Sequence, residues 1–242
     1  MLDGGLNKLQ KRMRGRFSDM LTPDDAYLSY YDIRLTREDM QTLKNDWLTD
    51  NIISFWEEYL EHEVLAKQKS SNIVLLRPSM SFMILQTPNP HTLKDALPNF
   101  SGVSHVFLPI NDCRNVNQAE GGSHWSLLLI SIVDRIAFHY DSLYHGNVWE
   151  ASAVTQKFGY LLNMPVDLCL CMTHHSKMAA VTAAAHEKVS MSLGGTRVDA
   201  SSSRKEMAKI IDGFRREGER RRSASLSRSP MGKKSRSPPR IE

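Results

Sequence analysis

The feature that most constrains the fold is a pair of apolar segments separated by a short polar turn. Residues 125–133 and 136–140 are rich in aliphatic and aromatic side chains, and only the dipeptide 134–135 separates them. Such runs on either side of a tight turn predict two antiparallel strands joined as a hairpin. Residues 106–110 predict a further strand, and a glycine pair at 121–122 gives the chain a flexible approach to the hairpin. The chain is therefore expected to contain a sheet, whose apolar face needs a covering layer.

Helical periodicity on both sides of these strands supplies that layer. Apolar residues at helical spacing predict a helix that begins close to Asp50 and an amphipathic helix over 148–162. Short apolar runs at 73–76 and 82–85 predict a strand and a brief buried segment, and residues 166–171 predict one more strand. Helices and strands in this order predict an α+β fold.

Length and cysteine usage limit the class of protein. The 242 residues, 41% of them hydrophobic, suffice for one domain of catalytic size plus a tail. No run of about 18 apolar residues occurs, and no apolar signal core follows the basic start. Cys113, Cys169 and Cys171 are too few and too irregular for a secreted disulfide framework. The sequence predicts a soluble monomer with reduced thiols, in the cytoplasm, the nucleus or both, with no membrane association.

The net charge of +4 combines two regions of opposite sign. Residues 201–242 carry +8, and the rest of the chain carries −4. We predict a flexible basic arm over 1–26, a folded domain over 27–172, and a divergent tail over 173–242. That tail is Ala-rich and then Arg/Ser/Pro-rich, and it is expected to be disordered. Two origins stay open for the tail: translation out of frame, or an Arg/Ser segment that contacts acidic partners or RNA by charge.

His124 and Asp141 carry the chemistry that the sequence predicts. His124 stands at the start of one strand of the hairpin, and Asp141 stands at the end of the other. A histidine oriented by a carboxylate is the general base that activates a nucleophile. The alternative is that both are ordinary turn residues. A symmetric turn would place Asp141 opposite Leu128, about 13 Å along the strand from His124, so contact requires a register shift, a bulge or strong curvature.

Four motifs resemble one family. GGSHWSLLL and FHYDS resemble the His-Trp and Asp segments of ubiquitin-like-protein-specific cysteine proteases of the sentrin-specific/deneddylase type. WLTDNIISF resembles an earlier segment of that family, with Thr49 in place of Asn, and VFLPIND resembles the strand before the catalytic His. The resemblance covers roughly residues 27–171. It implies a papain-like α+β fold in which His124 is general base and acid and Asp141 orients it.

The resemblance also implies a substrate site. Trp47 and Trp125 would wall a narrow slot for the Gly-Gly tail of a ubiquitin-like modifier, and Asp50 would lie near the backbone of that tail. A tail without side chains can pass between two indole faces, so selectivity would come from exclusion. Without the resemblance, both tryptophans are better interpreted as core residues.

The nucleophilic cysteine that this family requires is absent from its expected place. The family has Asp-Cys-Gly at the start of a helix, which here falls near Thr182 and Ala183 in the string VTAAAHE. Cys169 and Cys171 come too early and lie on a predicted strand, not at a helix N-terminus that would lower the pKa of a thiol. Read from the third base of each codon, residues 172–184 permit Asp-Cys-Gly. We therefore hypothesise a frame-shifted gene model, an unspliced intron or a variant transcript.

The functional prediction is a cysteine-type peptidase or isopeptidase that cleaves after the Gly-Gly of a ubiquitin-like modifier. The neddylation modifier is the first expected substrate and SUMO the second, and the chain is expected to be inactive as written. The alternatives are a protein that binds the modifier without cutting it and a defective splice or gene-model product. No cofactor and no metal are expected, because Cys169, Cys171, His174 and His175 are spaced unlike the usual zinc motifs.

Overall fold

The chain divides into two compact units of helices and strands. The computed structural model describes residues 26–68, 72–117, 121–143, 146–172, 199–226 and 238–242. The units are 1–58 with 199–242, and 59–198. In chain order the elements are β1 (Ala26–Tyr30), β2 (Ile33–Thr36), α1 (Arg37–Asn45), α2 (Asp50–Tyr59), β3 (Ile73–Leu75), α3 (Pro78–Gln86), β4 (His105–Asn111), β5 (Trp125–Ser131), β6 (Ile136–Asp141), α4 (Val148–Leu161), β7 (Asp167–Met172), α5 (Ala200–Leu226) and β8 (Arg240–Ile241). Among these helices, none is long and apolar enough to cross a bilayer.

The first unit contains a small mixed sheet in the order β2-β1-β8. β1 pairs antiparallel with β2 and parallel with β8. Helix α1 begins directly after β2 because Thr36 and Asp39 form a capping box. The Thr36 hydroxyl accepts a hydrogen bond from the Asp39 N–H at 3.1 Å, and the Asp39 carboxylate accepts one from the Thr36 N–H at 2.8 Å. Reciprocal bonds of this kind satisfy N–H groups that the first helical turn leaves without partners.

Helix α5 packs against β1 and α1 of the same unit. Its apolar stripe includes Met207 and Ile211, which lie one helical turn apart and are 9% and 0% exposed. Phe214 continues the stripe, and its ring lies 4.6 Å from that of Tyr30, centroid to centroid. After the helix, Ile241 of β8 is buried as well. A thin apolar face is enough to hold this long, basic helix in place, because tertiary packing supplies most helical stability.

The prediction of a disordered tail over 173–242 is wrong for residues 200–226, which are helical, and for 240–241, which form a strand. The Arg/Ser content of the segment indicates disorder, but its few apolar residues at helical spacing, Met207 and Ile211 among them, are buried. Residues 173–198 and 227–237 of the predicted tail lie outside the described residues.

The predicted domain boundaries also differ from the units of the structure. The sequence predicts a single domain over 27–172, whereas residues up to 58 group with 199–242, and residues 59–198 form the other unit. The predicted basic arm falls almost wholly in residues 1–25, which lie outside the described part of the chain.

The second unit contains the strands that the sequence predicted. In the described part of the chain they form a sheet in the order β3-β4-β5-β6-β7. The outer pairs, β3 with β4 and β6 with β7, are parallel, and the two inner pairs are antiparallel. An apolar cluster on this sheet is formed by Leu129, Phe138 and Tyr140, with Phe107 and Ile136 packed against it.

Two helices of this unit pack together and against the sheet. Helix α4 contacts α3 and strands β4, β6 and β7. Ala151, Val154 and Phe158 are fully buried at helical spacing, which confirms the amphipathic helix predicted from periodicity. The buried segment predicted at 82–85 proves to be part of α3, whose first residue, Pro78, has the fixed φ and missing N–H that suit a helix start.

The hairpin of β5 and β6 has a register that differs from the symmetric one. A four-residue turn, residues 132–135, joins the strands in place of a two-residue turn. Continuing this register places Asp141 opposite Ser126, which is two residues from His124. The offset along the strand falls from about 13 Å to about 7 Å. The register shift that contact between the predicted pair requires is therefore present.

Candidate active site

The loop that carries His124 is tied to the end of β4 by Asp112. The carboxylate accepts hydrogen bonds from the Ser123 N–H at 2.6 Å, the Ser123 hydroxyl at 2.7 Å and the His124 N–H at 3.1 Å. Burial alone would raise the pKa of Asp112, but these hydrogen bonds outweigh it and lower the pKa. Gly122 has a φ of 94°, and a Cβ there would lie 1.9 Å from the Asn111 side-chain oxygen. The ionised Asp112 carboxylate and Gly122 thus fix the position of His124 and the start of β5.

His124 and Asp141, the two residues that the sequence analysis assigned to catalysis, are in direct contact. Nε2 of His124 lies 2.5 Å from Oδ1 of Asp141. The two residues are 5% and 6% exposed. A hydrogen bond to an ionised group is stronger where water does not compete for either partner. The structure therefore brings together the two residues on which the catalytic hypothesis depends.

Main-chain groups hold the Asp141 carboxylate in place. Oδ1 accepts the Leu143 N–H at 2.8 Å, and Oδ2 accepts the Asn147 N–H at 3.0 Å. Burial by itself would raise the pKa of Asp141, but the bonds from Asn147, His124 and Leu143 together lower it. Asn147 immediately precedes α4, and the positive end of that helix dipole also favours an anion. Asp141 is consequently ionised at neutral pH.

An ionised Asp141 determines which nitrogen of the neutral His124 ring carries the proton. A carboxylate only accepts hydrogen bonds, so Nε2 must donate, and the neutral ring is the Nε2–H tautomer. Nδ1 then holds the lone pair that can take a proton from a nucleophile. In such a pair the carboxylate orients the imidazole and stabilises the imidazolium that forms.

Gly146 lies against the pair and leaves no room for a side chain. A Cβ at this position would lie 2.9 Å from Cδ2 of His124 and 3.0 Å from Oδ2 of Asp141. Both groups are buried, so neither can move aside without changing the contact between them. The absence of a side chain at Gly146 is therefore a geometric requirement of the pair.

A second buried imidazole, His139, lies beside the pair on β6. Its Nε2 is 2.8 Å from the Ser126 hydroxyl oxygen, and the residue is 2% exposed. Burial is the main cause that lowers the pKa of His139, and it outweighs the opposing charge of Asp141. His139 is therefore neutral at physiological pH, and its ring contacts a hydroxyl, whereas the ring of His124 contacts a carboxylate.

The three predicted substrate-binding residues fall in different units. Trp47 lies between α1 and α2 and is 59% exposed, and Asp50 is the first residue of α2, both in the first unit. Trp125 is half-buried at the start of β5 in the second unit. The predicted slot between the two indoles stays a prediction.

The cysteines of the described residues do not occupy the N-terminus of a helix. Cys113 is buried in the loop after β4, where its thiol contacts the Asn115 carbonyl oxygen at 3.6 Å. Cys169 and Cys171 belong to β7, which confirms the predicted strand. The expected place of the nucleophile, near residues 182–183, lies outside the described residues, as do His174 and His175.

Sequence reasoning missed Asp112, Gly146 and Asn147. Asp112 could have been found, because it ends the motif VFLPIND directly before the His124 loop. Gly146 lies in a polar loop without a motif. Asn147 precedes a predicted helix, where an asparagine is ordinarily interpreted as a cap.

Comparisons with known proteins agree on one family. The description "Ulp1 protease family, C-terminal catalytic domain" matches residues 46–161. NEDD8-specific protease 2 of Schizosaccharomyces pombe is 36% identical over 141 residues, which cover 56% of this chain and 34% of that protein. Sentrin-specific protease 8 of Homo sapiens is 35% identical over 147 residues, 60% of this chain and 68% of that protein. The solved C-terminal Ulp1 protease domain, in complex with the yeast SUMO orthologue Smt3, aligns with a TM-score of 0.52 and 17% identity, covering 84% of this chain and 93% of that one.

A buried histidine–carboxylate pair on an α+β scaffold is typical of the class of proteins that activate a nucleophile with a general base. Within that class, the chain belongs to the Ulp1 protease family and has the Ulp1-like cysteine protease fold. The predicted family and α+β fold are confirmed. The chain spans about a third of the length of the Schizosaccharomyces pombe relatives that it matches.

Proposed function

We propose that this chain is built as a cysteine-type peptidase or isopeptidase that cleaves after the C-terminal Gly-Gly of a ubiquitin-like modifier. The observation that carries the proposal is the 2.5 Å contact between His124 and Asp141 in a buried site. Relatives named NEDD8-specific protease support NEDD8 as the first substrate. The Ulp1 complex with Smt3 supports SUMO as the second. The sparse cysteines support a reducing compartment, the cytoplasm or the nucleus.

In the proposed reaction a cysteine thiol gives its proton to Nδ1 of His124 while its sulfur attacks the carbonyl carbon of the terminal glycine. The imidazolium, stabilised by Asp141, then delivers that proton to the leaving amine, and the modifier stays on sulfur as a thioester. Water gives a proton to His124 and attacks the thioester. The modifier leaves with a free carboxylate, and the thiol is restored.

The proposal keeps Trp47, Asp50 and Trp125 as residues that are each expected to contact the Gly-Gly tail. The indole of Trp47 is 59% exposed, which supports a binding role over core packing, because large aromatic side chains are usually buried. Trp125 directly follows His124 in the chain, so a ligand that contacts its ring lies close to the general base. Asp50 would contact the backbone of the Gly-Gly tail.

A second candidate function is retention of the modifier without cleavage. The observation that favours it is the location of the cysteines: Cys113 is buried against Asn115, and Cys169 and Cys171 lie on a strand. None of these positions has the helix N-terminus that lowers the pKa of a nucleophilic thiol. In this case the chain with the present sequence binds the modifier without cleaving it. The product of a transcript that encodes Asp-Cys-Gly would cleave the modifier.

The experiment uses NEDD8, SUMO and ubiquitin, each with a C-terminal electrophile that bonds to a placed thiol. Sequencing the transcript across residues 172–184 first establishes which product is made, and both products are then incubated with the three probes. We expect the Asp-Cys-Gly product to form a covalent adduct with NEDD8 and to react more slowly with SUMO. His124→Ala should slow the reaction of this product with both probes. The printed chain should retain NEDD8 without an adduct.

Two results would contradict this proposal. The first is an adduct rate that does not depend on His124 in any product. The second is the absence of both adduct and retention for every modifier, measured on protein whose folding is verified by hydrogen exchange of the central strands.

A further inference from the structure

Asn147 occupies the N-cap of α4, yet its side chain does not cap the helix. No hydrogen bond joins its side chain to the first turn of α4. Asparagine is among the residues best suited to cap a helix, and such a cap typically contributes about 1 kcal/mol. Asn147 is completely buried, so its amide is directed into the protein, away from the N–H groups that it could have satisfied.

The amide of Asn147 faces the ends of the two strands that carry the site. Nδ2 donates to the carbonyl oxygen of Ile110 at 3.0 Å and to that of His124 at 3.2 Å, and it lies 3.0 Å from the Ser126 hydroxyl oxygen. The two carbonyls fix the orientation of the amide, because a flipped group would point Oδ1 at both of them. One side chain thus joins the end of β4 to the start of β5, at the peptide unit that follows His124.

The main chain of the same residue holds the other member of the pair. The Asn147 N–H donates to Oδ2 of Asp141 at 3.0 Å. Oδ1 of the same carboxylate lies 2.5 Å from His124. A single residue therefore contacts the backbone of the base and the carboxylate that orients it, so any movement of Asn147 changes the distance between them.

This arrangement has a cost that a purely structural role does not explain. In the part of the chain that the structure describes, no donor reaches Oδ1 of Asn147. A buried acceptor without a partner destabilises a protein by about 1–3 kcal/mol, and rotation of the side chain into the cap would satisfy it. Exceptions to local rules of this kind concentrate at functional sites.

We infer that Asn147 is a positioning residue that sets the relative placement of His124 and Asp141 and thereby the tautomer of the His124 ring. The inference rests on the proposed function, because it assigns Asn147 to the same site. Asn147 acts through the pair and does not contact the reacting atoms. Its Nδ2 fixes the backbone of His124, its N–H fixes the carboxylate, and the Nε2–H tautomer follows from the contact between the two.

The test is the ring nitrogen spectrum of His124, recorded by NMR on protein labelled with nitrogen-15. In the neutral form of the ring, the wild type should show the Nε2–H tautomer. In Asn147→Ala the ratio of the Nε2–H to the Nδ1–H tautomer should fall about tenfold, the effect of losing about one hydrogen bond. The main-chain N–H of residue 147 remains in this variant, so the pKa of Asp141, followed by carbon-13 NMR, should rise toward 3.8 only by the part that the bond from His124 contributes.

Two further variants separate positioning from folding. Asn147→Ser keeps one donor and should show an intermediate tautomer ratio, which also serves if Asn147→Ala does not fold. Thr155→Val is the matched control, because it removes a buried hydroxyl of the same helix that donates to the Ala151 carbonyl. It should lower the melting temperature and leave both the tautomer and the pKa of Asp141 unchanged.

The inference is overturned if Asn147→Ala and Asn147→Ser keep the wild-type tautomer ratio and Asp141 pKa while their melting temperatures fall as in Thr155→Val. The NMR measurement needs no nucleophile, so it stands whether or not the electrophile probes react. Conversely, probes that react normally beside an unchanged tautomer ratio would remove the role of Asn147 and leave the proposed function intact.

Discussion

The histidine–aspartate pair of the second unit and helix α5 of the first unit are held in place by different means. The pair is fixed by a hydrogen bond from the His124 N–H to Asp112, by one from the Asn147 N–H to Asp141, and by the close approach of Gly146. Helix α5 is fixed by a narrow apolar stripe, with most of its other side chains polar or charged. The geometry of the pair depends on the positions of its hydrogen-bonding groups to within a few tenths of an ångström, whereas the placement of α5 depends on the burial of a few apolar side chains. The two regions should therefore respond to opposite kinds of mutation.

The largest expected effect is in α5. Ile211 is completely buried, so Ile211→Ala should destabilise the first unit by about 2–5 kcal/mol, the usual cost of removing a buried aliphatic side chain. Amide hydrogen exchange along α5 should accelerate accordingly. Lys209→Ala, at an exposed position of the same helix, should change exchange little. Equal exchange in the two variants would show that the stripe does not hold the helix.

The second effect tests the steric tolerance of the pair. Gly146→Ala places a methyl group 2.9 Å from the His124 ring, and overpacking of this kind costs about 1–3 kcal/mol. The melting temperature should fall, and the ring nitrogen signals of His124 should shift because its contact with Asp141 changes. Ser142→Ala, an exposed position of the same loop, is the control and should leave both unchanged. Wild-type ring signals in Gly146→Ala would remove the steric argument.

Much of the second unit could be predicted because its strands and helices are determined by local sequence patterns. The strands β4, β5 and β6 are continuous apolar runs, and His124 and Asp141 lie at the ends of two neighbouring strands, so periodicity and motif were enough. The contact itself could not be derived, because it depends on a four-residue turn that shifts the register by two residues. The role of Asn147 could not be predicted for a related reason, since its partners Ile110 and Ser126 lie far from it in sequence.

Helix α5 could not be predicted, because its stability comes from contacts distant in the chain. The Tyr27 hydroxyl bonds to Asp212, and Arg215 stacks over the Tyr27 ring at 4.2 Å. Composition records none of this and reports only an excess of Arg and Ser. The frame-shift hypothesis concerns residues 172–184, which include the expected place of the nucleophile near Thr182 and Ala183.

The third effect distinguishes the regions by pH. Asp141 has a pKa below 3.8 in the folded protein, so the unfolded chain takes up its proton first as the pH falls. Its contribution to stability is complete above that value and is lost as the pH drops through the folded pKa. Asp141→Asn should therefore lose less stability than the wild type below pH 3.8. The pKa of Asp112 is also lowered, so Asp141→Asn should retain the part of the pH dependence of stability that Asp112 contributes. Ile211→Ala should retain the whole pH dependence of the wild type.

The smallest effect has the opposite sign and depends on a glycine in the other region. Gly213 lies exposed on α5, and among the residues that the structure describes no atom beyond its own helix and chain neighbours lies within 4 Å of the position of a Cβ. Gly213→Ala should therefore stabilise the helix by about 0.5–1 kcal/mol, because alanine loses less backbone freedom on folding. Gly218→Ala on the same helix is the counter-test, since its Cβ would meet Pro239 at 2.9 Å and the Arg240 nitrogen at 3.0 Å. Slower amide exchange in Gly213→Ala is expected only if α5 is helical. Faster exchange in Gly218→Ala is expected only if residues 239–240 pack against α5. A disordered tail would show neither change.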